Sequence, residues 1–267
     1  MHRVLIHPAG GAITLEVESI GAARAGARRM VFLHEGLGSL ARWGDWPRAL
    51  CDAAGCRGLV FSRHGYGRSQ TRPPPWPSDY LDVEAHENLP ALFKALGIDP
   101  VLERPILFGH SDGATIALQY AAAFPDAVEA IVVLAPHLFT EQVARERIEQ
   151  LRRGWHDGRL RAWLAQWHMD ADAVFQGWSG CWLSPQFERW NISASLAAIR
   201  CPVLAVQGAL DQYGTLEQLA ELRRKVPHAE LLVLDACRHT PHEEQPETVR
   251  DAVVDFLSRR LPSSCTG

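Results

Sequence analysis

The sequence feature that most constrains the fold is a short apolar run that ends in Gly-x-Ser-x-Gly and passes directly into a helix-like pattern. This stretch covers residues 106–118, with Ser111 between Gly109 and Gly113. The chain has to turn from strand to helix within about two residues, which forces the serine backbone towards strained dihedral angles. The turn exposes the Ser111 hydroxyl and leaves the N–H of Asp112 unpaired at a helix N-terminus. The pattern therefore predicts a nucleophilic serine and one oxyanion donor; a serine in an ordinary turn is the alternative.

Four further motifs follow a fixed order around this turn. They are a glycine-rich loop at 33–39, a Gly-x-Gly-x-Ser turn at 65–69, an acidic loop at 208–211 and a histidine loop at 238–246. Together with the serine turn they resemble the α/β-hydrolase superfamily, and the match covers nearly the whole chain outside residues 138–195. The resemblance implies an α/β-hydrolase fold, with a mostly parallel eight-stranded sheet flanked by helices and a helical cap inserted after the sixth strand.

This resemblance also implies a division of the chain into two parts. Residues 1–137 and 196–267 are expected to form the α/β-hydrolase core, and residues 138–195 the helical cap. Within the core, apolar and turn patterns predict strands at 2–6, 12–18, 30–33, 59–61, 130–134, 201–208 and 230–234, in addition to the one before Ser111. Ser39 is predicted to cap a helix that runs to Ala54. A flexible loop at 21–28 and a disordered tail at 263–267 complete the prediction.

Composition limits the partners. The chain has 267 residues, 47% of them hydrophobic, with a net charge of −4 and no basic block, which argues against nucleic acids and anionic membrane surfaces. No apolar run approaches the roughly 20 residues that span a bilayer, and no signal peptide is recognisable. The six cysteines are expected to be reduced thiols, with a Cys51–Cys56 link as the alternative. We therefore expect a cytoplasmic protein without a nucleic-acid or membrane partner, as a monomer or small homo-oligomer. The resemblance implies a small-molecule acyl substrate.

The nucleophile needs two partners. A serine hydroxyl is a poor nucleophile until a neutral imidazole accepts its proton and a carboxylate orients that imidazole. The order Ser111, Asp211, His239 is the order of the α/β-hydrolases. His242 is an alternative base nearer the closing helix, and Asp235 is an alternative acid that ends its strand directly. Loop position favours Asp211 and His239.

The loop after the third predicted strand is expected to supply the second oxyanion donor. We predict the N–H of Gly36 for this role, with Leu37 as the next choice. The family usually has His-Gly here, whereas this chain has His34-Glu35, so the register of the donor is open. Glu35 is either a solvated loop carboxylate or a polar contact in the pocket. The solvated position is favoured because charged residues are seldom buried unpaired.

Several other residues are candidates for the pocket. The carboxylate of Asp112 is expected to complement the helix N-terminus; the alternative is a carboxylate aimed into the pocket, which would disfavour anionic substrates. His137 is either a polar group in the pocket wall or a loop residue. Six of the nine tryptophans lie in the predicted cap, which predicts a partly apolar pocket. The candidate substrate-binding residues are Glu35, Leu37, His137, Trp163 and Trp182.

These features predict a serine hydrolase acting on a small ester, thioester or related acyl compound, with no cofactor and no metal. The histidines show no metal-binding spacing, and His110 is expected to pack beneath the serine turn. The resemblance also admits C–C bond hydrolases or enol-lactonases of aromatic catabolism, and cofactorless perhydrolases or haloperoxidases. Ser111 argues against haloalkane dehalogenases and epoxide hydrolases, whose nucleophile is an aspartate. A ligand receptor on the same scaffold is the alternative without catalysis.

Overall fold

A single eight-stranded sheet organises the protein in the computed structural model, which describes residues 1–21 and 26–261. The strands are β1 (His2–Ile6), β2 (Ile13–Ile20), β3 (Arg29–Leu33), β4 (Arg57–Ser62), β5 (Ile106–His110), β6 (Ala130–Leu134), β7 (Val203–Gly208) and β8 (Glu230–Leu234). Their order across the sheet is β1-β2-β4-β3-β5-β6-β7-β8. β2 runs antiparallel to both β1 and β4, and all later pairs are parallel. The predicted mostly parallel eight-stranded sheet is confirmed.

Helices connect these strands and cover both faces. They are α1 (Trp46–Ala54), α2 (Tyr80–Val83), α3 (Leu89–Ala95), α4 (Pro100–Glu103), α5 (Asp112–Ala123), α6 (Gln142–Gly154), α7 (Arg159–Leu164), α8 (Ala171–Trp182), α9 (Glu217–Lys225), α10 (Pro241–Glu244) and α11 (Pro246–Arg260). A π-helical stretch joins α2 to α3, so residues 80–95 run as one helix. Among the described residues, no helix is both long and apolar enough to cross a membrane.

The predicted helix from Ser39 to Ala54 is wrong at its start. Only a short 3₁₀ turn, Ala41–Trp43, follows Ser39, whose hydroxyl accepts a hydrogen bond from the N–H of Arg42 at 3.2 Å. Gly44 then adopts φ 58°, a left-handed conformation that ends the turn. Helix α1 begins after this break, with a proline in its first turn.

The core follows from the alternation of side chains along the strands. Val31 and Leu33 of β3 face one side of the sheet, where they belong to the apolar cluster under α3, α5 and α9. Met30 and Phe32 face the other side, where the cluster includes α1 and α11. Because both faces are covered, the central strands are apolar throughout, as parallel strands usually are.

The segment between β6 and β7 contains α6, α7 and α8. Its two ends meet: the N–H of Ile192 donates to the carbonyl of Leu138 at 2.7 Å, and the N–H of Thr140 donates to that of Trp190 at 3.1 Å. We call residues 138–195 the inserted segment. The loop predicted at 21–28 lies partly, and the tail predicted at 263–267 wholly, outside the described residues.

Candidate active site

The predicted site residues meet at one edge of the sheet. Ser111 follows β5, Asp211 lies in the loop after β7, and His239 lies in the loop after β8. The carboxyl ends of parallel strands share an edge, so loops distant in sequence converge there. The loop after β3 and His137, which follows β6, reach the same place.

Ser111 occupies the strained turn that its glycines predict. Its φ is 52° and its ψ −116°, a conformation that costs free energy in a residue with a Cβ atom. A Cβ atom on Gly113 would overlap the carbonyl of Leu33, and one on Gly109 would overlap the backbone of Gly113. Both glycines are therefore needed because helix α5 starts in direct contact with β3 and β5.

Ser111, His239 and Asp211 form a hydrogen-bonded chain. The Ser111 Oγ lies 3.0 Å from Nε2 of His239, and Nδ1 of His239 lies 2.8 and 2.9 Å from the two Asp211 oxygens. A carboxylate accepts, so Nδ1 of His239 carries the proton and Nε2 is free to accept from the serine. Burial alone would raise the pKa of Asp211, but His239 and the N–H of Tyr213 outweigh it and lower that pKa.

The two rival residues lie elsewhere. Asp235 is exposed, and its backbone carbonyl accepts a hydrogen bond from the Gln245 side chain. His242 is buried between Trp43 and Trp46, whose rings lie 4.8 and 5.4 Å from its own. Burial holds the pKa of His242 well below its usual value. Neither residue contacts Ser111 in the described structure, so the geometry favours Asp211 and His239.

Three backbone N–H groups near the serine have no hydrogen-bond partner within the described residues. They belong to Gly36, Leu37 and Asp112. Gly36 lies beneath the indole of Trp178, and a Cβ atom on residue 36 would overlap the indole nitrogen. The loop after β3 thus offers the donors that the sequence predicts, in a register that requires a glycine at position 36.

Glu35 lies in the pocket wall, so the favoured prediction of a solvated carboxylate is wrong. Its side chain is only 21% exposed, and Oε2 lies 3.6 Å from Nδ1 of His110. A Cβ atom on Gly38 would overlap the Glu35 carboxylate, which folds back over that residue. Burial alone would raise the pKa of Glu35, but His110 outweighs it and holds the pKa well below its usual value.

The carboxylate of Asp112 is held by side chains in addition to its place at the helix N-terminus. It accepts a hydrogen bond from the Tyr80 hydroxyl at 2.6 Å and lies 3.5 Å from the Arg63 guanidinium. The indole N–H of Trp182 donates to the same hydroxyl at 3.0 Å. Arg63 is fully buried behind the pocket. Burial raises the pKa of Asp112, and Arg63 opposes this shift.

The pocket in front of Ser111 has a volume of about 230 Å³. His137 lies in its wall, with its ring 5.1 Å from Trp182 and 5.7 Å from His239. Burial lowers the pKa of His137 to about 3, so its ring is neutral at ordinary pH. Of the two alternatives for this residue, the structure supports the pocket wall.

Three of the six tryptophans of the inserted segment line the pocket, namely Trp163, Trp178 and Trp182. The sequence analysis named the first and third and missed the second. Trp178 precedes Trp182 by one helical turn of α8, and this spacing places both on one face. Trp155 and Trp190 instead stack on phenylalanines within the inserted segment.

Arg42 lies at the mouth of the pocket, and the sequence analysis gave it no role. Its guanidinium lies 5.2 Å from the ring of Trp163 and donates to Glu243 at 3.0 Å.

In the part of the chain that the structure describes, no group of three or more histidine, cysteine or acidic side chains is arranged to hold a metal.

A mostly parallel sheet with a strained serine turn and a histidine–aspartate pair at the same edge defines the α/β-hydrolase class. The sequence model of the Alpha/beta hydrolase family matches residues 30–252. The chain belongs to this family of hydrolases.

Two relatives and one solved structure illustrate the similarity. The sn-1-specific diacylglycerol lipase of Mus musculus is 23% identical, with 86% of this chain and 80% of the relative covered. The 2-hydroxy-6-oxo-6-phenylhexa-2,4-dienoate hydrolase of Burkholderia cepacia is 21% identical, with 86% and 87% covered. A thermophilic esterase from Thermogutta terrifontis superposes with a TM-score of 0.74 at 23% identity, covering 97% of this chain and 99% of the esterase. At this identity the structural similarity bears on the fold alone.

Proposed function

We propose that the protein is a serine hydrolase that cleaves small esters, thioesters or related acyl compounds. The observation that carries the proposal is the 3.0 Å contact between the Ser111 Oγ and Nε2 of His239, with Asp211 on the other nitrogen. In the proposed reaction His239 takes the proton of Ser111 as the hydroxyl attacks the carbonyl carbon. Asp211 holds the ring and stabilises the imidazolium that forms.

The N–H groups of Gly36 and Asp112 are proposed to bind the oxyanion of the tetrahedral intermediate. Both lack a partner within the described residues. His239 then gives the proton to the leaving group, which departs and leaves the acyl group on Ser111. Water, deprotonated by His239, attacks this acyl group and releases the acid and free Ser111. Donors fixed in advance at the developing charge are often the largest contribution to such a rate.

The pocket supports a small substrate with an apolar part. Its volume of about 230 Å³ is below the 300–1,000 Å³ typical of drug-sized ligands. The wall is formed by Trp163, Trp178 and Trp182 together with Ile148 and Leu151 of α6. In this proposal the inserted segment acts as the cap that selects the acyl group.

A second candidate is hydrolysis of a dienoate of the kind named for the Burkholderia cepacia relative. The basis for this candidate is the similarity to that relative, with 21% identity over 86% of this chain. The same serine, histidine and aspartate would serve that reaction, so a substrate comparison decides between the two.

Active-site labelling tests the proposal. A fluorophosphonate should label the protein, and peptide mass spectrometry should locate the label on Ser111. The variant Ser111→Ala should lose both the label and about 10⁶-fold in kcat. An unlabelled wild-type protein that binds ligands but turns over no substrate would point to the receptor alternative. A screen of p-nitrophenyl esters, acyl-CoA thioesters and a dienoate then identifies the substrate class.

A further inference from the structure

His110 is a buried side chain that the proposed reaction does not use. It ends β5, and its Nε2 atom lies 2.7 Å from the backbone carbonyl oxygen of His239. A carbonyl oxygen only accepts hydrogen bonds, so Nε2 of His110 carries a proton and donates it. This hydrogen bond ties the strand that leads to the nucleophile to the loop that carries the base.

The other ring nitrogen of His110 faces the carboxylate of Glu35. Nδ1 and Oε2 are 3.6 Å apart, within ion-pair range and too far for a hydrogen bond. Because Nε2 already carries a proton, a neutral ring would point the Nδ1 lone pair at a carboxylate. A protonated ring points an N–H there instead, so Glu35 favours the imidazolium form. Burial alone would lower the pKa of His110, yet Glu35 outweighs it and raises that pKa.

Other ionisable groups surround this pair without replacing Glu35. The rings of His239 and His242 lie 5.2 and 5.0 Å from that of His110. Burial lowers the pKa values of His242 and of nearby His137, so both rings are neutral. Arg42 is bonded to Glu243, whose carboxylate is 39% exposed. Among the described residues, Glu35 is the carboxylate in contact with His110.

We infer that Glu35 and His110 form a partly buried ion pair that positions His239, and that Glu35 acts through His110 and not on the substrate. The inference rests on the proposed function, because it takes His239 as the base. Glu35 keeps both ring nitrogens of His110 protonated. One N–H donates to the carbonyl of His239, and the other faces the Glu35 carboxylate. Glu35 and His110 are thus positioning residues.

The pair predicts a specific dependence on pH. When His110 loses a proton at high pH, one contact has to fail: a lone pair then faces either the Glu35 carboxylate or the carbonyl of His239. The kcat of the wild type should therefore fall in alkaline solution, above the ordinary histidine pKa of about 6.5. Glutamine at position 35 removes this conflict, since its amide N–H can face the Nδ1 lone pair of a neutral ring.

The experiment is a pH–rate profile of wild type and Glu35→Gln with the best ester found. We expect an alkaline decline in the wild type, its loss in Glu35→Gln, and KM values within about twofold at neutral pH, as for a residue that does not bind substrate. Glu243→Gln removes a neighbouring carboxylate and should keep the decline. A decline unchanged in Glu35→Gln, or a large change in KM alone, overturns the inference.

A second pair of variants tests the link to His239. His110→Leu removes the donor to the carbonyl and should lower kcat about 10- to 100-fold with KM nearly unchanged, because small displacements of a catalytic group are costly. His110→Gln keeps an N–H donor and should recover part of this loss. Equal losses in the two variants contradict a role for the hydrogen bond.

A measurement independent of turnover separates this inference from the proposed function. Side-chain ¹⁵N NMR, assigned with His110→Gln, should show both His110 nitrogens protonated in most wild-type molecules at pH 6.5. In Glu35→Gln only Nε2 should carry a proton. A neutral His110 in the wild type overturns the inference even if the protein is an active esterase. A wild type that shows this NMR signature but neither reacts with the fluorophosphonate nor hydrolyses esters overturns the proposed function alone.

Discussion

The indole nitrogen of Trp178 packs against Gly36 so closely that residue 36 has no room for a side chain. This nitrogen is buried without a hydrogen-bond partner within the described residues. The contact joins the inserted segment to the loop that is proposed to hold the oxyanion, so the position of helix α8 and that of the donor depend on each other.

Gly36→Ala should therefore disturb the proposed oxyanion donor. We expect kcat to fall about 100-fold, the low end of the effect of losing one such donor, with a smaller change in KM. Steady-state kinetics on a p-nitrophenyl ester measure both. Gly180→Ala is the control, since it lies on α8 with no atom near its added Cβ. A Gly36→Ala variant within twofold of wild-type kcat would show that residue 36 is not the donor.

Asp211→Asn should lower kcat by about 10⁴-fold. An asparagine stabilises the wrong tautomer of His239 and cannot stabilise the imidazolium. Asp235→Asn should lower kcat only slightly, because Asp235 is exposed and its backbone carbonyl, not its side chain, accepts the hydrogen bond from Gln245. Single-turnover kinetics at neutral pH compare the two variants. If the ranking is reversed, the acid is Asp235.

The approach of Ser111, Asp211 and His239 could be predicted from the order of motifs that the chain shares with the α/β-hydrolases. Ser111, Asp211 and His239 each follow a recognisable strand, and carboxyl ends of parallel strands meet at one edge. The position of Glu35 could not be predicted in the same way. The rule that a charge is buried only with a partner holds here, but the partner is His110, which is distant in sequence and reaches Glu35 only once β3 and β5 pair.

Irregular parts of the chain were the least predictable. The helix predicted after Ser39 begins only at Trp46, because Gly44 adopts a left-handed conformation that ends the first turn. The sequence does not show which glycines adopt a positive φ. The number of tryptophans in the inserted segment predicts that some of them line the pocket. Which of them face Ser111 depends on how α8 docks, and that is set by tertiary packing.

His137 should make the protein less stable in acid. Its pKa is about 3 when folded and near 6.5 when unfolded, so the unfolded chain binds the extra proton. Its contribution is present above pH 6.5 and is lost as the pH falls towards 3, by up to about 1.4 kcal/mol per unit. His110 has the opposite shift, and its contribution is complete below pH 6.5.

Urea unfolding at pH 7 and pH 4.5 tests this expectation. His137→Phe should reduce the loss of unfolding free energy between the two pH values by about 2 kcal/mol. His2→Phe changes an exposed histidine of β1 and should leave the loss unaltered. Parallel behaviour of wild type and His137→Phe would mean that His137 does not titrate differently on unfolding.

Trp163→Ala should change acyl preference. Trp163 lies in the pocket wall and is 37% exposed, so its removal leaves the core intact. The kcat/KM for a medium-chain ester should fall about tenfold, the low end of what an apolar pocket contact provides, while an acetyl ester is nearly unaffected. Trp190→Ala, which removes a ring stacked on Phe187 and edge-on to Trp182, should affect both esters alike. Uniform losses for Trp163→Ala would assign it a structural role.

The paired ends of the inserted segment have a consequence for changes in its length. The segment begins after β6 ends at Leu134, and its two ends meet where Ile192 hydrogen-bonds to Leu138, so the gap that the segment bridges is short. Lengthening a loop between fixed ends costs free energy only as the logarithm of its length. We therefore expect insertions in the loops between α6, α7 and α8 to leave the register of the strands unchanged. Changes of length within the segment would then alter the wall of the pocket while β6 and β7 stay paired.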